Sequence, residues 1–169
     1  FFRHPTEKDY VDICAACDEL NRRKTEHNGK YSLIPNEPTP QDGGSGAGRA
    51  FSQRNYGMAS FSDLFTPRQL LVLTTLSRLV VDAGALLKSE QEKEFANAVQ
   101  TCLALAVDRQ ADHTNSCCAW NPSGPKLQHL YTRQTIPIVW DFAEAQPFGD
   151  SVGDWLHAIE CVLTALANA

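Results

Sequence analysis

The sequence predicts a mainly α fold of about five helices around one core, broken by one long irregular segment. Apolar residues recur at three-and-four spacing in several stretches, the mark of amphipathic helices. Two of those stretches open on capping signatures. Proline and glycine gather between residues 28 and 60, where no periodicity survives. At 169 residues the chain suits one helical domain, 1–169, and is too short for two large ones.

Residues 6 to 27 read as the first helix. Thr6 is placed to cap it, Tyr10, Ile13, Cys14, Cys17 and Leu20 form its buried stripe, and Gly29 ends it. Pro35, Pro38 and Pro40 then exclude helix, and Gly43 to Gly48 is a flexible run. From Gly43 to Ser62 there is no acid, while Arg49 and Arg54 stand among Phe51 and Tyr56.

Thr66-Pro67-Arg68-Gln69 places a capping threonine, a proline at the first helical position and a glutamine three residues after the cap. The helix it opens runs through Leu70, Leu73, Leu76 and Val80 to about Leu87. Ser89-Glu90-Gln91-Glu92 reads as a second capping box, leading into Phe95, Val99, Cys102, Leu103 and Ala106. The short turn between these helices predicts an antiparallel pair.

Asn121-Pro122-Ser123-Gly124-Pro125 breaks the chain, and a shorter helix is expected over Lys126 to Gln134. Ile136 to Trp140 is open between a helical turn and a short strand near Ile138. Ser151 is placed to cap a last helix carrying Trp155, Ile159, Val162, Leu163 and Leu166.

The formal charge is -5. Affinity for DNA rests largely on counterion release by Lys and Arg, so an acidic chain is a poor principal DNA-binding surface, although a local basic loop remains compatible with it. The chain opens at Phe1 without methionine or a secretory leader, and is expected to be an internal piece of a longer protein. Apolar runs such as Leu70 to Leu73 are short of a bilayer, so a cytoplasmic protein without membrane contact is expected. Six cysteines are too sparse for a disulfide scaffold and read as reduced thiols.

Four features invite a chemical reading. Cys14-Ala15-Ala16-Cys17 has the spacing of half a zinc site, but four ligands are needed and no second such pair exists. Both cysteines lie on the apolar stripe, so core packing is the reading and no metal is expected. His113, Cys117 and Cys118 could add ligands, yet adjacent cysteines chelate one ion poorly. Gly44-Ser45-Gly46-Ala47-Gly48 looks like a cofactor-cradling loop, but it follows a proline-rich stretch rather than a strand. It reads as a linker, with a DNA-touching loop using Arg49 and Arg54 as the functional rival.

Asp108, Arg109, Asp112 and Asn115 gather at a helix end, the carboxylates four residues apart on one face. They could position a general base, or form a buried ion-pair network with Arg133 or Arg68. Trp140 to Phe148 combines Asp141 and Glu144 with three aromatic rings. That block could line a pocket for a base or pack as a capped loop. No serine or cysteine nucleophile sits in a recognisable elbow.

Several segments together resemble the middle region of a family of large adenine-specific DNA methylases that carry a zinc-ribbon insertion and are associated with phage-defence gene clusters. They are Tyr31 to Pro38, Tyr56-Gly57-Met58 with Phe61 to Leu70, Leu105 to Asp112, and Arg133 to Phe148. The resemblance spans nearly the whole chain in order.

It implies a parent enzyme that moves a methyl group from S-adenosylmethionine to the amino group of adenine in DNA, with cytosine the less favoured target. It also implies that the glycine-rich cofactor motif lies upstream of this region and the catalytic Asp-Pro-Pro-Tyr motif downstream, where an acidic or amide side chain engages the flipped base. Asn121-Pro122-Ser123-Gly124 departs from that motif at its third and fourth positions. Gln146-Pro147-Phe148 lacks both the second proline and the Asn or Asp. No catalytic or cofactor-binding residue is therefore assigned to this chain.

The resulting expectation is a non-catalytic helical region of such an enzyme. Its partners would be DNA, the rest of the parent and other defence proteins, with Arg49, Arg54 and Arg68 positioning phosphate. The rival is a helical protein-interaction module with no DNA contact.

Overall fold

Helix α1 runs Glu7–Glu26 in the computed structural model of the chain, which describes residues 4–40, 52–124, 126–132 and 135–168. At its start Asp9 accepts the Thr6 amide N–H at 2.6 Å. Farther along, hydrogen bonds from Arg22 and Arg23 hold the Glu19 carboxyl down at about 2. The expected stripe is divided. Ala16 and Leu20 are buried, whereas Tyr10, Ile13 and Cys14 are exposed. The second half of α1 is the part that meets the next helix, where Arg23 donates to Thr75 at 2.7 Å.

The proline-rich stretch stays irregular, with 3-10 turns at Ser52–Tyr56 and Phe61–Leu64 and a bridge pairing Pro38 with Ser60. Helix α2, Pro67–Glu90, opens as the sequence predicts. Gln69 N–H donates to the Thr66 hydroxyl at 3.3 Å, and Gln69 Oε1 accepts the Thr66 N–H at 2.8 Å. Leu70, Leu73, Leu76, Val80 and Gly84 form its buried face. By length and composition α2 could cross a bilayer, which the shorter apolar runs did not suggest. It carries Arg78 and Asp82 mid-length and packs between α1 and α3, as the central helix of a bundle does.

Helix α3 covers Lys93–His113. The second capping box does not form, because α2 continues through Glu90 and Ser89 Oγ donates back to the Leu86 carbonyl at 2.7 Å. A serine in a last helical turn has carbonyls behind it before it has free amides ahead. Glu92 takes the cap position without a side-chain bond. The link is short, and α2 and α3 pack as the expected antiparallel pair. Gly84 makes room for the Gln100 amide between them, which a Cβ there would meet at 2.3 Å unless that side chain turned away.

After α3 the helix expected over Lys126 to Gln134 is replaced by a hairpin. Strands β1 (Trp120–Asn121) and β2 (Lys126–Leu127) pair antiparallel, and a 3-10 turn follows at Leu130–Thr132. Asn121 Oδ1 accepts the Ser123 N–H at 3.1 Å, turning the chain back before a helix can start. Ile136 to Trp140 is neither strand nor helix.

Helix α4, Trp155–Ala167, is capped by Asp154 rather than Ser151, with Leu156 N–H donating to Asp154 Oδ1 at 2.6 Å. The described residues thus form four α-helices rather than five, in the expected mainly α class. Leu64, Cys117, Leu130 and Ile136 build a buried cluster beside the start of α2. Met58, Phe61 and Phe65 pack around it.

Candidate functional site

A helix leaves its last carbonyls without partners, and the end of α3 resolves this with side chains. Asn115 donates from Nδ2 to the Ala111 and Asp112 carbonyls at 2.9 and 3.2 Å. Its Oδ1 accepts the Cys117 N–H at 2.9 Å. Gln110 donates from Nε2 to Thr114 Oγ1 and to the Gly153 carbonyl at 2.8 and 2.7 Å, tying α3 to the approach of α4.

Asp112 sits at the centre of this end, its side chain only 11% exposed. Oδ1 accepts the Tyr131 N–H at 2.9 Å and Oδ2 accepts from Arg109 at 3.1 Å. His129 Nδ1 also lies 3.0 Å from Oδ2, but the pair does not meet hydrogen-bond geometry. His113 and His129 rings stand 5.6 Å apart, and burial pushes the His113 imidazole below its ordinary value. A carboxylate held from both sides works as a clamp on the loop after β2. The ion-pair reading fits this geometry, with Arg109 and the Tyr131 amide as its partners.

The polar cluster read from the sequence is therefore divided. Arg109, Asp112 and Asn115 come together, while Asp108 is exposed along a groove shared by α2 and α3. Arg133 lies outside the described residues. Arg68 does not join the cluster. Its Nε and Nη2 donate to Glu144 Oε1 and Oε2 at 3.1 and 2.7 Å, a two-pronged pair across 76 residues.

Beside that pair lies a cleft of about 430 Å³ lined by Arg68, Gln69, Val72, Thr114 and residues 144–148. Gln69 is 1% exposed. Its Oε1 serves the cap, and its Nε2 has no partner in the protein. An unpaired buried amide costs on the order of 1–3 kcal/mol. The aromatic-and-acid block splits around this cleft. Glu144 and Phe148 line it, Asp141 is exposed, and Trp140, 90% exposed, meets Tyr56 edge-on at 5.7 Å.

Of the three arginines expected to position phosphate, Arg49 lies outside the described residues, as does the glycine run 44–48. Arg54 donates from Nη1 to the Thr39 and Ala59 carbonyls at 2.8 and 2.9 Å, stitching the irregular segment together. Among the described residues no group of three or more His, Cys, Asp or Glu side chains is placed to hold a metal ion. Cys117 and Cys118 are buried, and burial lifts the Cys118 thiol to about 11.

Sequence reading missed Gln69 as more than a cap, and missed His129, Tyr131 and Gln110. The signal for the two glutamines is position. Each lies on the apolar face of its helix, Gln69 beside Leu70 and Gln110 one turn from Ala106, where a polar side chain must find a partner or leave one wanting. No family model matches the chain, no curated protein is significantly similar to it, and no solved structure matches it significantly.

Proposed function

We propose that this chain is a non-catalytic helical region of an S-adenosylmethionine-dependent DNA methyltransferase that modifies the amino group of adenine, in a phage-defence or restriction system. One observation supports the reading best: two of the segments that carry the family resemblance, Phe61 to Leu70 and Arg133 to Phe148, meet in space. Leu64 shares a buried cluster with Ile136, and Arg68 pairs with Glu144. Segments distant in sequence thus build one junction that could brace the two halves of a larger enzyme. Cofactor and catalytic motifs would come from the parent chain outside this region.

DNA contact would come from the basic stretch around Arg49 and Arg54, and it is tested by salt. Phosphate contacts make log K fall steeply with log salt, and replacing both arginines should flatten the slope by roughly two counterions. Methyl transfer by the parent tests the wider reading: labelled cofactor should leave its methyl group on adenine of duplex DNA.

The rival, a protein-interaction module, draws support from the charge of -5 and from apolar residues left exposed on α4, namely Leu156, Leu163 and Leu166. A chain that leaves DNA unbound at low salt while capturing another segment of the parent would favour it.

A further inference from the structure

We infer that the groove between α3 and α4 is the docking site of a basic amphipathic helix, one with an apolar stripe flanked by lysine and arginine. The inference goes beyond the methyltransferase reading and rests on the interaction-module reading, whose partner it names.

The groove calls for a helix. α3 and α4 pack side by side and leave between them a groove of about 360 Å³, lined by apolar side chains alone. On α4, Leu156, Ile159, Leu163 and Leu166 repeat at intervals of three, four and three, the seam of a helix that packs knobs into holes. On α3, Phe95, Val99, Cys102 and Ala106 repeat at four, three and four. Two such seams side by side present the holes that a third helix fills. Yet Phe95, Leu156, Leu163 and Leu166 are each more than half exposed. α4 carries one acid, Glu160, and no lysine or arginine in its 13 residues, and a helix this apolar is ordinarily buried.

Charge selects the kind of helix. After Arg133 the chain has five acids and no lysine or arginine. The fifteen acids before that point balance fifteen bases, so residues 134–169 hold the whole net charge of -5. Glu144 is matched by Arg68, and Asp154 is engaged in the α4 cap. That leaves Asp150 exposed just before α4 and Glu160 exposed in its middle. The last turn of α4 holds no base, so the negative end of its helix dipole is uncompensated. α3 opens on Glu92, Lys93 and Glu94, again acidic in sum. A second copy would set these charges against their own kind, and an anionic lipid surface would be repelled in the same way. A basic flank meets them with opposite charge.

The test is a titration of a labelled synthetic helix of leucine and lysine, leucine at the heptad core positions, with the whole chain, read by fluorescence anisotropy. Saturable binding is expected. The same peptide with glutamate for lysine should bind at least about tenfold more weakly, as should one of identical composition whose order breaks the stripe. Leu163→Gln and Leu166→Gln, at exposed positions, should each weaken binding by about tenfold with the melting temperature retained. Glu160→Lys should weaken the lysine peptide and tighten the glutamate peptide, a reversal that a merely structural role would not produce. Without peptide the chain should sediment as a monomer.

The inference is overturned by an absence of saturable binding, by equal binding of the order-broken peptide, or by undiminished binding in both leucine variants. A dimer that Leu163→Gln dissociates would also overturn it, giving the face to a second copy. Equal binding of the glutamate peptide, weakened by Leu163→Gln, would overturn the basic partner yet keep the interaction module. Methyl transfer is read separately, so neither result decides the other.

Discussion

Asp112 accepts the backbone N–H of Tyr131 at 2.9 Å, so a side chain in the last turn of α3 fixes a main-chain position 19 residues later. Its other oxygen faces Arg109 at 3.1 Å, and the carboxylate is nearly shielded from water. Removing it leaves both a main-chain donor and an arginine without their partner. Asp112→Ala should cost about 3 kcal/mol in urea unfolding, while Asp112→Asn, which keeps an acceptor for Tyr131, should cost less. Equal stability of wild type and Asp112→Ala would remove the clamp from the picture.

His113 makes stability depend on pH. Burial lowers its folded-state pKa below the ordinary imidazole value. The unfolded chain therefore binds the proton more readily. The contribution of neutral His113 is complete above about pH 6.5 and is lost as pH falls through the lowered folded-state value. Thermal melts of wild type should drop over that window, and His113→Phe, which cannot take the proton, should show a shallower drop.

Gly153 has φ +94°, accepts a hydrogen bond from Gln110 Nε2 on its carbonyl, and leaves no room for a side chain. A Cβ there would meet the Ala145 Cβ at 2.7 Å. Gly153→Ala should destabilise the fold by about 2 kcal/mol, read as a lower melting temperature. A melting temperature within error of wild type would show that the approach to α4 can relax.

The thiols should separate by reactivity. Cys14 is exposed, while Cys117 and Cys118 are buried and burial raises both of their pKa values. Because the thiolate is the reactive form, iodoacetamide at neutral pH should label Cys14 early and the buried pair only after unfolding. Early modification of Cys118, located by peptide mass mapping, would contradict its placement.

Much of this fold is legible in local chemistry. Thr66-Pro67-Arg68-Gln69 announces α2 because threonine, proline and glutamine each satisfy a different need of a helix start within four residues. The three prolines at 35, 38 and 40 exclude regular structure without help from the rest of the chain.

Misread positions are those where tertiary contacts choose between equal local options. Ser89 and Ser151 are both good caps by type, yet α2 runs past the first and Asp154 outcompetes the second. The hairpin at 120–127 depends on where the chain reverses against α3, which periodicity does not encode. For the site, the Asp112 cluster is visible as a helix-end grouping. Its true partner is a backbone amide, and an amide carries no sequence signature.

The most direct test of the proposed function is methyl transfer by the proposed methyltransferase that would contain this chain, using labelled S-adenosylmethionine, duplex DNA and nucleoside analysis of the product. The expected result is label in methylated adenine, with deletion of residues 43–55 weakening activity at moderate salt. Cofactor binding with no label on any base would contradict the methyltransferase reading and leave the interaction module in its place.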